Sequence, residues 1–294
     1  MARAVFECIP NVSDGGDAAT IEACAAALAG AGATLVDRSS DPDHDRSVFT
    51  CFGERRELIA ASVALARVTT ERIDLRRRRG VHPRIGALDV LPFVPIASAT
   101  LADAAALARE TAQAIWSACG VPSLLYGAAA ATPERTLLAE VRRGEFEGLA
   151  GRAASGERPD VGDLLFHPSA GAIAVGAREV LVAFNVVLAS DDLELARRIA
   201  RTLRERDGGL QTLRVLGLRL SAGRVQISCN VTDVAAVPLH RVVALVRTFA
   251  ARSGIAVEGA ELIGLVPRAA LLAAAEVELG LEPGELRAGA ETKT

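Results

Sequence analysis

The chain contains 294 residues, carries a formal net charge of -3 and is 50% hydrophobic, which provides enough apolar material for one large or two medium domains. The chain as a whole has no excess of positive charge with which to hold nucleic acid, and charged residues interrupt every apolar stretch before it reaches membrane-spanning length. We therefore expect a folded globular protein with no nucleic-acid or membrane partner.

The amino terminus and the cysteines indicate the compartment. The first ten residues lead directly into a predicted strand, without the pattern of a signal peptide. The cysteines are widely spaced and form no C-x-x-C pair, so we expect reduced thiols without a zinc or redox role. They are Cys8, Cys24, Cys51, Cys119 and Cys229. A cytoplasmic protein is predicted.

The first half of the chain shows the order strand, helix, strand, strand, helix, strand. Its predicted elements are a strand at 4–9, a helix at 18–32, two strands within 33–53, a helix at 54–73 and a strand at 87–96. A helix containing Trp116, a strand at 122–127 and an irregular stretch rich in Gly and Pro over about 144–171 follow.

The second half repeats that order. Its elements are a strand at 179–188, a helix at 190–206, a hairpin of 213–220 and 224–231, a helix at 239–254 and a strand at 255–267. Ser190 or Asp191 is expected to cap the first of these helices. The repeat predicts an α+β protein with two similar subdomains, 1–177 and 178–294, each with a mixed, antiparallel-rich sheet covered by helices on one face. A small-molecule site is expected in the cleft between them.

The stretch "RRRRGVHPRIG" contains the most informative histidine, His82. Pro83 favours an extended conformation at His82, and Gly80 and Gly86 permit close backbone approaches. An imidazole held in this way can exchange a proton at neutral pH, although a structural histidine in a turn has the same sequence pattern. The run Arg76–Arg79 is typical of a solvated loop or of a surface for one or two carboxylates, and it is a weak basis for binding nucleic acid.

Two other polar segments, 41–47 and 167–179, share part of the pattern of known ligand-binding loops. Residues 41–47, "DPDHDRS", begin like a calcium loop, but Arg46 occupies the position of the required glycine, so no metal site is predicted. Residues 167–179 lack the glycine spacing of a phosphate-binding loop and fit either a ring-binding loop or an ordinary connection. His240 has apolar neighbours on a predicted helix and is interpreted as structural.

Six segments in order resemble the glutamate formimidoyltransferase family, the formiminotransferase module of histidine breakdown. They are "ECIPNVSDG" (7–15), "DPDHDRSVFTCFG" (41–53), "GVHPRIGALDVLPFVPI" (80–96), "LLYGAAA" (124–130), "HPSAGAIAVGAREVLVAFNVVL" (167–188) and "ELIGLVPRAALL" (261–272). The resemblance implies two α/β subdomains with folate bound in a tunnel between them. It also implies transfer of the formimino group from N-formimino-L-glutamate to N5 of tetrahydrofolate, with tetrahydrofolate as co-substrate and no metal or redox cofactor.

The resemblance further implies a homodimer and, because no cyclodeaminase segment follows, a monofunctional enzyme. It assigns the acid–base role to His82. Substrate or folate contacts are implied for Asn11, Asp37, His44, Arg46, Arg84, Gly162, Gly171, Arg178 and Asn185. Arg84 would form a forked pair with a substrate carboxylate.

Three positions depart from the family pattern: Ser39 in place of an acid, Val81 in place of an acid before His82, and Asp163 after Gly162 in the linking loop. Loss of a neighbouring acid would lower the basicity of His82, unless Asp37 or Asp45 substitutes for it. Two other functions therefore stay open: formyl transfer between 5-formyltetrahydrofolate and glutamate, and folate binding without catalysis.

Overall fold

The computed structural model describes residues 3–163, 165–220 and 223–286. The chain divides into two compact units, Met1–Val180 and Leu181–Thr294. This division lies close to the sequence-based boundary after Ala177, which stays a prediction. No helix in the described ranges is long and apolar enough to cross a membrane, and every cysteine is a free thiol.

In the first unit, strands and helices follow the predicted order. The elements are β1 (Val5–Cys8), β2 (Asn11–Val12), α1 (Ala18–Gly30), β3 (Thr34–Asp41), β4 (Arg46–Gly53), α2 (Arg55–Arg72), β5 (Leu88–Ala97), α3 (Leu101–Cys119), β6 (Ser123–Gly127), α4 (Leu138–Val141), α5 (Glu145–Ala154) and β7 (Ile173–Ala177). Local capping fixes the helix ends: Asp17 accepts a hydrogen bond from the amide of Ala19, and Thr100 forms a capping box with Asp103.

One mixed sheet contains all the strands described in this unit. Its order is β3, β4, then β1 and β2 end to end, β5, β7 and β6. The neighbours from β3 to β5 are antiparallel, whereas β7 is parallel to both β5 and β6. Helices α1, α2 and α3 bury one face of the sheet with side chains such as Leu28, Leu65 and Leu107. Asn11 begins β2, and Arg46 begins the neighbouring strand β4.

The second unit has the β-α-β-β-α-β order by itself. Its elements are β8 (Val182–Leu188), α6 (Leu193–Leu203), β9 (Leu213–Arg219), β10 (Val225–Val231), α7 (Leu239–Ala251), β11 (Val257–Ile263) and α8 (Arg268–Leu279). The antiparallel sheet order β11-β8-β10-β9 matches β5-β1-β4-β3 of the first unit. The predicted α+β class and the internal repeat are thus confirmed.

Two local predictions were wrong. Asp192, rather than Ser190 or Asp191, caps α6, because its carboxylate accepts from the amide of Leu195. The stretch 144–171 is not irregular throughout, since α5 occupies Glu145–Ala154. Its alanine and glutamate residues favour a helix despite two internal glycines, and burial of Leu149 and Arg152 adds the packing that local propensity lacks.

Candidate functional site

A buried carboxylate, Asp89 on β5, organises the polar cluster of the first unit. Its side chain is 0% exposed. Oδ1 accepts the amides of Ile85 and Gly86 at 2.8 and 3.3 Å, which ties the carboxylate to the loop that carries His82. Oδ2 accepts from Arg46 Nη1 at 2.9 Å and also from Arg142 Nη2. Burial raises the pKa of Asp89, but the positive charges of Arg142 and Arg46 outweigh burial. The pKa of Asp89 is therefore lower than that of an ordinary aspartate.

Arg46, at the start of β4, connects this carboxylate to Asn11 and to His82. Its Nε and Nη2 donate to Asn11 Oδ1 at 3.0 and 2.7 Å, and Asn11 Nδ2 donates to the carbonyl of Ile9 at 2.7 Å. These bonds fix both side chains. Burial and the charge of Arg142 lower the pKa of Arg46 to about 10, so the guanidinium remains charged at neutral pH.

The surroundings of His82 favour a neutral imidazole with its hydrogen on Nδ1. Nδ1 lies 2.9 Å from the carbonyl oxygen of Pro83, which can only accept a hydrogen bond, so Nδ1 carries the hydrogen. Arg46 Nη1 is 3.3 Å from the same nitrogen. Both nitrogens are donors in this tautomer, so Arg46 acts on the ring through its positive charge and not through a hydrogen bond. Burial, Arg46 and Arg142 lower the pKa of His82 well below its ordinary value. Nε2 is therefore an unprotonated base at neutral pH.

A second histidine, His44, lies in the turn between β3 and β4. Its ring centroid is 5.9 Å from that of His82, with the two ring planes tilted by 45°. The His44 side chain is 9% exposed, and its Nδ1 lies 3.8 Å from Asp41 Oδ2. His44 Nε2 is buried and has no hydrogen-bond partner among the described residues. It is a second nitrogen at the site with capacity for a hydrogen bond to a ligand.

Glycines let the His82 loop approach its neighbours closely, as the sequence predicted. A Cβ on Gly80 would lie 2.4 Å from the carbonyl oxygen of His44. A Cβ on Gly86 would lie 2.2 Å from the carbonyl oxygen of Ala172, and Gly171 bridges to Gly86 with φ of 70°. The loop that carries His82 is thus pinned by backbone contacts on both sides.

Replacement of Gly86 by alanine is expected to destabilise the protein by about 3 kcal/mol, because the added methyl would overlap backbone atoms that cannot move independently. Denaturant-induced unfolding measures the change in the free energy of unfolding. The matched control is Gly151→Ala on the exposed side of α5, where a Cβ would meet no atom within 4 Å. That change should be neutral or stabilising by up to about 1 kcal/mol. Equal stabilities for the two variants would contradict the close-packing argument.

Three arginines of the run, Arg76, Arg77 and Arg79, have exposed side chains, and each of them pairs with a carboxylate of the chain. Arg76 and Arg77 pair with Asp74 at a short 3-10 helix, rather than alternating along an extended segment. Arg78 turns inward and bridges the buried carboxylates of Asp14 and Asp45. Its partners belong to the chain itself, so the run holds the His82 loop in place.

Arg84 also has an internal partner. Its Nη2 and Nη1 lie 2.9 and 3.3 Å from the two carboxylate oxygens of Glu147, and Nη1 lies 3.4 Å from Glu145. The forked geometry that the sequence suggested for a substrate carboxylate is thus formed with α5. Hydrogen bonding to Arg84 lowers the pKa of Glu147, which keeps this carboxylate charged. A substrate contact of Arg84 stays a prediction.

The other predicted binding residues lie elsewhere. Asp37 is opposite Thr50 in the β3–β4 register, four residue pairs from Arg46 on the same face. Gly162 packs against Pro122 with φ of 127°, and Arg178 donates to the carbonyl of Glu179. Asn185 belongs to the second unit, where its amide lies 3.3 Å from Glu261. Of the predicted residues, the structure brings together Asn11, His44, Arg46 and His82. Gly171 pairs with Gly86 at the end of the loop that carries His82.

Sequence reasoning missed Asp89 and Arg142. Asp89 is a charged residue within the apolar strand segment "ALDVLPFVPI", and that interruption was the available signal. Arg142 gives no such signal, because it lies in a charged stretch more than fifty residues downstream of Asp89. In the described ranges, no cluster of His, Cys, Asp or Glu is arranged to hold a metal ion.

The first unit of this α+β protein holds a cluster of polar side chains around His82, an arrangement suited to binding a small polar ligand. A model of the N-terminal subdomain of the formiminotransferase domain matches residues 5–178, and a second formiminotransferase-domain model matches residues 183–281. The chain belongs to the formiminotransferase family.

Curated relatives agree with this membership. The chain is 40% identical over 281 residues to a glutamate formimidoyltransferase from Streptococcus pyogenes serotype M1, covering 95% of this chain and 94% of the relative. It is 36% identical over 282 residues to a glutamate formimidoyltransferase from Thermoplasma acidophilum, covering 94% and 93%. With the formimidoyltransferase-cyclodeaminase of Rattus norvegicus it shares 37% identity over 92% of this chain and 52% of the relative. A crystal structure of an unknown protein from Galdieria sulphuraria is similar with 8% identity, 90% and 99% coverage and a TM-score of 0.27, too low to add to the argument.

Proposed function

We propose that this protein transfers the formimino group from N-formimino-L-glutamate to N5 of tetrahydrofolate, giving 5-formimidoyltetrahydrofolate and L-glutamate. Family membership over nearly the whole chain supports the reaction. The observation that carries the mechanism is the state of His82, whose Nδ1 is committed to the Pro83 carbonyl while Nε2 remains an unprotonated base.

The proton balance of the reaction requires one group that is first a base and then an acid. N5 of tetrahydrofolate attacks the formimino carbon and must lose a proton as the new C–N bond forms. The bond from that carbon to the glutamate nitrogen then breaks, and the departing nitrogen must gain a proton. His82 Nε2 accepts the first proton and returns it to the leaving nitrogen, so the enzyme ends each turnover unchanged.

The depressed pKa of His82 suits the first of these steps. A histidine that was charged in the resting enzyme could not accept the proton of N5. Burial and the adjacent guanidinium groups lower the pKa of His82 and so favour its neutral form, which can accept that proton. The same positive surroundings make the imidazolium a strong acid after it is formed, which favours return of the proton to the glutamate nitrogen. Orientation of both substrates would supply a further large part of the rate.

Binding roles for the remaining predicted residues are part of this proposal. Asn11, His44 and Arg46 are supported by their contacts around His82. Asp37, Arg84, Gly162, Gly171, Arg178 and Asn185 stay predicted contacts of substrate or folate. Tetrahydrofolate is the co-substrate in this proposal and no metal takes part. A homodimer and a cytoplasmic location also stay predictions.

Turnover of two donors tests the function. Purified protein mixed with N-formimino-L-glutamate and tetrahydrofolate should release glutamate with the kcat/KM of an ordinary enzyme, on the order of 10⁴ M⁻¹s⁻¹ or higher. In a parallel reaction, 5-formyltetrahydrofolate and glutamate should react at least about tenfold more slowly. Faster reaction of the formyl donor would replace the proposal with formyl transfer. Tight folate binding without turnover of either donor would indicate a binding protein.

A further inference from the structure

Arg142 belongs to the polar cluster around His82 but does not lie on the strands that carry Arg46 and Asp89. It directly follows the short helix α4, and its side chain is only 10% exposed. Its guanidinium binds Asp89 Oδ2, the same oxygen that accepts from Arg46 Nη1 at 2.9 Å. Two guanidinium groups therefore share one carboxylate oxygen.

This sharing has two physical consequences. Both guanidinium groups donate to Oδ2, and Arg46 Nη1 also lies 3.3 Å from His82 Nδ1, so Asp89 couples the position of Arg46 to that of Arg142. The three charged groups sum to one net positive charge beside the imidazole, because a single carboxylate neutralises only one of the two arginines. A neighbouring positive charge disfavours a protonated histidine.

Resting on the proposed function, we infer that Arg142 is a positioning residue, which holds Arg46 against His82 through Asp89 and adds a positive charge to the surroundings of the imidazole. Arg142 acts through Asp89, because its Nη2 donates to Asp89 Oδ2. The α4 segment thereby contributes to the reaction without contributing a catalytic group.

The charged and titratable groups around His82 come from several elements of the first unit. Arg46 is on β4, His44 is in the β3–β4 turn, Asp89 is on β5 and Arg142 follows α4. The Pro83 carbonyl opposes their effect, since its hydrogen bond raises the pKa of His82, but it is unaffected by substitution at Arg142. Removal of one positive group should therefore raise the pKa of His82.

The dependence of kcat/KM on pH separates charge from packing at this position. In Arg142→Gln, the fall of kcat/KM on the acidic side should begin at a higher pH than in the wild type, because one positive charge beside the titrating imidazole is removed. Arg142→Lys, which keeps the charge, should retain the wild-type pH profile. Arg143→Gln is the matched control, because its side chain is 69% exposed and lies 3.8 Å from Glu157.

Nuclear magnetic resonance titration of the His82 ring supplies a readout that needs no turnover. The signal can be assigned by its loss in His82→Gln. The ring should titrate at higher pH in Arg142→Gln than in the wild type and Arg143→Gln, and Arg142→Met is the replacement if Arg142→Gln does not fold. An unchanged ring titration in these variants, or an equal displacement in Arg142→Lys, would overturn the inference. Absence of turnover in the wild type would instead refute the proposed function and leave the ring titration to decide the role of Arg142.

Discussion

His82→Ala should lower kcat/KM for formimino transfer by roughly 10²- to 10⁴-fold, the usual contribution of a positioned acid–base group. The loss is expected mainly in kcat, because the imidazole acts on the protons that move and not on the bulk of either substrate. Folate affinity, measured by titration calorimetry, should change less than about threefold on the same reasoning. The wild type should keep its activity below the ordinary pKa of histidine, since the pKa of His82 is lowered in the fold.

Two comparisons make the His82 result specific. Added imidazole should restore part of the rate of His82→Ala by entering the vacated space, and it should have no effect on the wild type. His240→Ala is the control, because His240 lies on α7 in the second unit. Full turnover by His82→Ala would refute the acid–base assignment, and equal losses in both variants would point to a general defect of folding.

Local pattern was enough to predict most elements of the fold. Alternating and continuous apolar segments indicated the strands that pair as β1, β3, β4 and β5, and the same order in the second half indicated the repeat. The sequence pattern does not predict the strands β2 and β7 or the helices α4, α5 and α8. Both faces of β7 are covered, so its sequence IAVGA has no polar alternation, and α5 depends on the packing of Leu149 and Arg152.

Only those residues of the candidate site that have a distinctive local sequence could be predicted. His82 was found because proline and glycine restrict its surroundings, and the register confirms that Asn11 and Arg46 come from adjacent strands. Asp89 and Arg142 could not be paired from sequence, since a contact between β5 and the segment after α4 depends on the tertiary fold. The Arg78 and Arg84 ion pairs show the same limit, because their carboxylate partners are distant in sequence.

The departures from the family pattern also have a structural context. Val81, at the position where the family has an acid, is 41% exposed, and its amide donates to the carbonyl of Asp43. The residue before His82 therefore supplies no carboxylate to the imidazole. Asp45, one of the two residues expected to replace a missing acid, accepts from Arg78 instead. The carboxylate linked to His82 is Asp89, and it acts through Arg46 and not by direct contact.

Asp89→Asn should destabilise the protein by about 3–5 kcal/mol, the usual cost of removing one partner from a buried ion pair. The amide can still accept from Ile85 and Gly86 through its oxygen, but its NH₂ group would then face the guanidinium groups of Arg46 and Arg142. Two buried cations would be left without a counterion. Equilibrium denaturation measures the loss, and activity should fall with it because Arg46 is no longer held beside His82.

The charge argument predicts a partial rescue and a defined pH dependence. Asp89→Asn combined with Arg142→Gln should lose less stability than the sum of the single changes, by about 1 kcal/mol or more, since the second change removes one orphaned cation. Because the fold lowers the pKa of Asp89, its contribution is complete above the pKa of an unfolded aspartate, about 3.9, and is lost as pH falls through the lower folded value. The stability of Asp89→Asn should therefore fall less steeply than that of the wild type as the pH is lowered through this range. The exposed control Asp163→Asn should show the same pH dependence of stability as the wild type. Strict additivity of the two substitutions would show that Asp89 and Arg142 stabilise the protein independently.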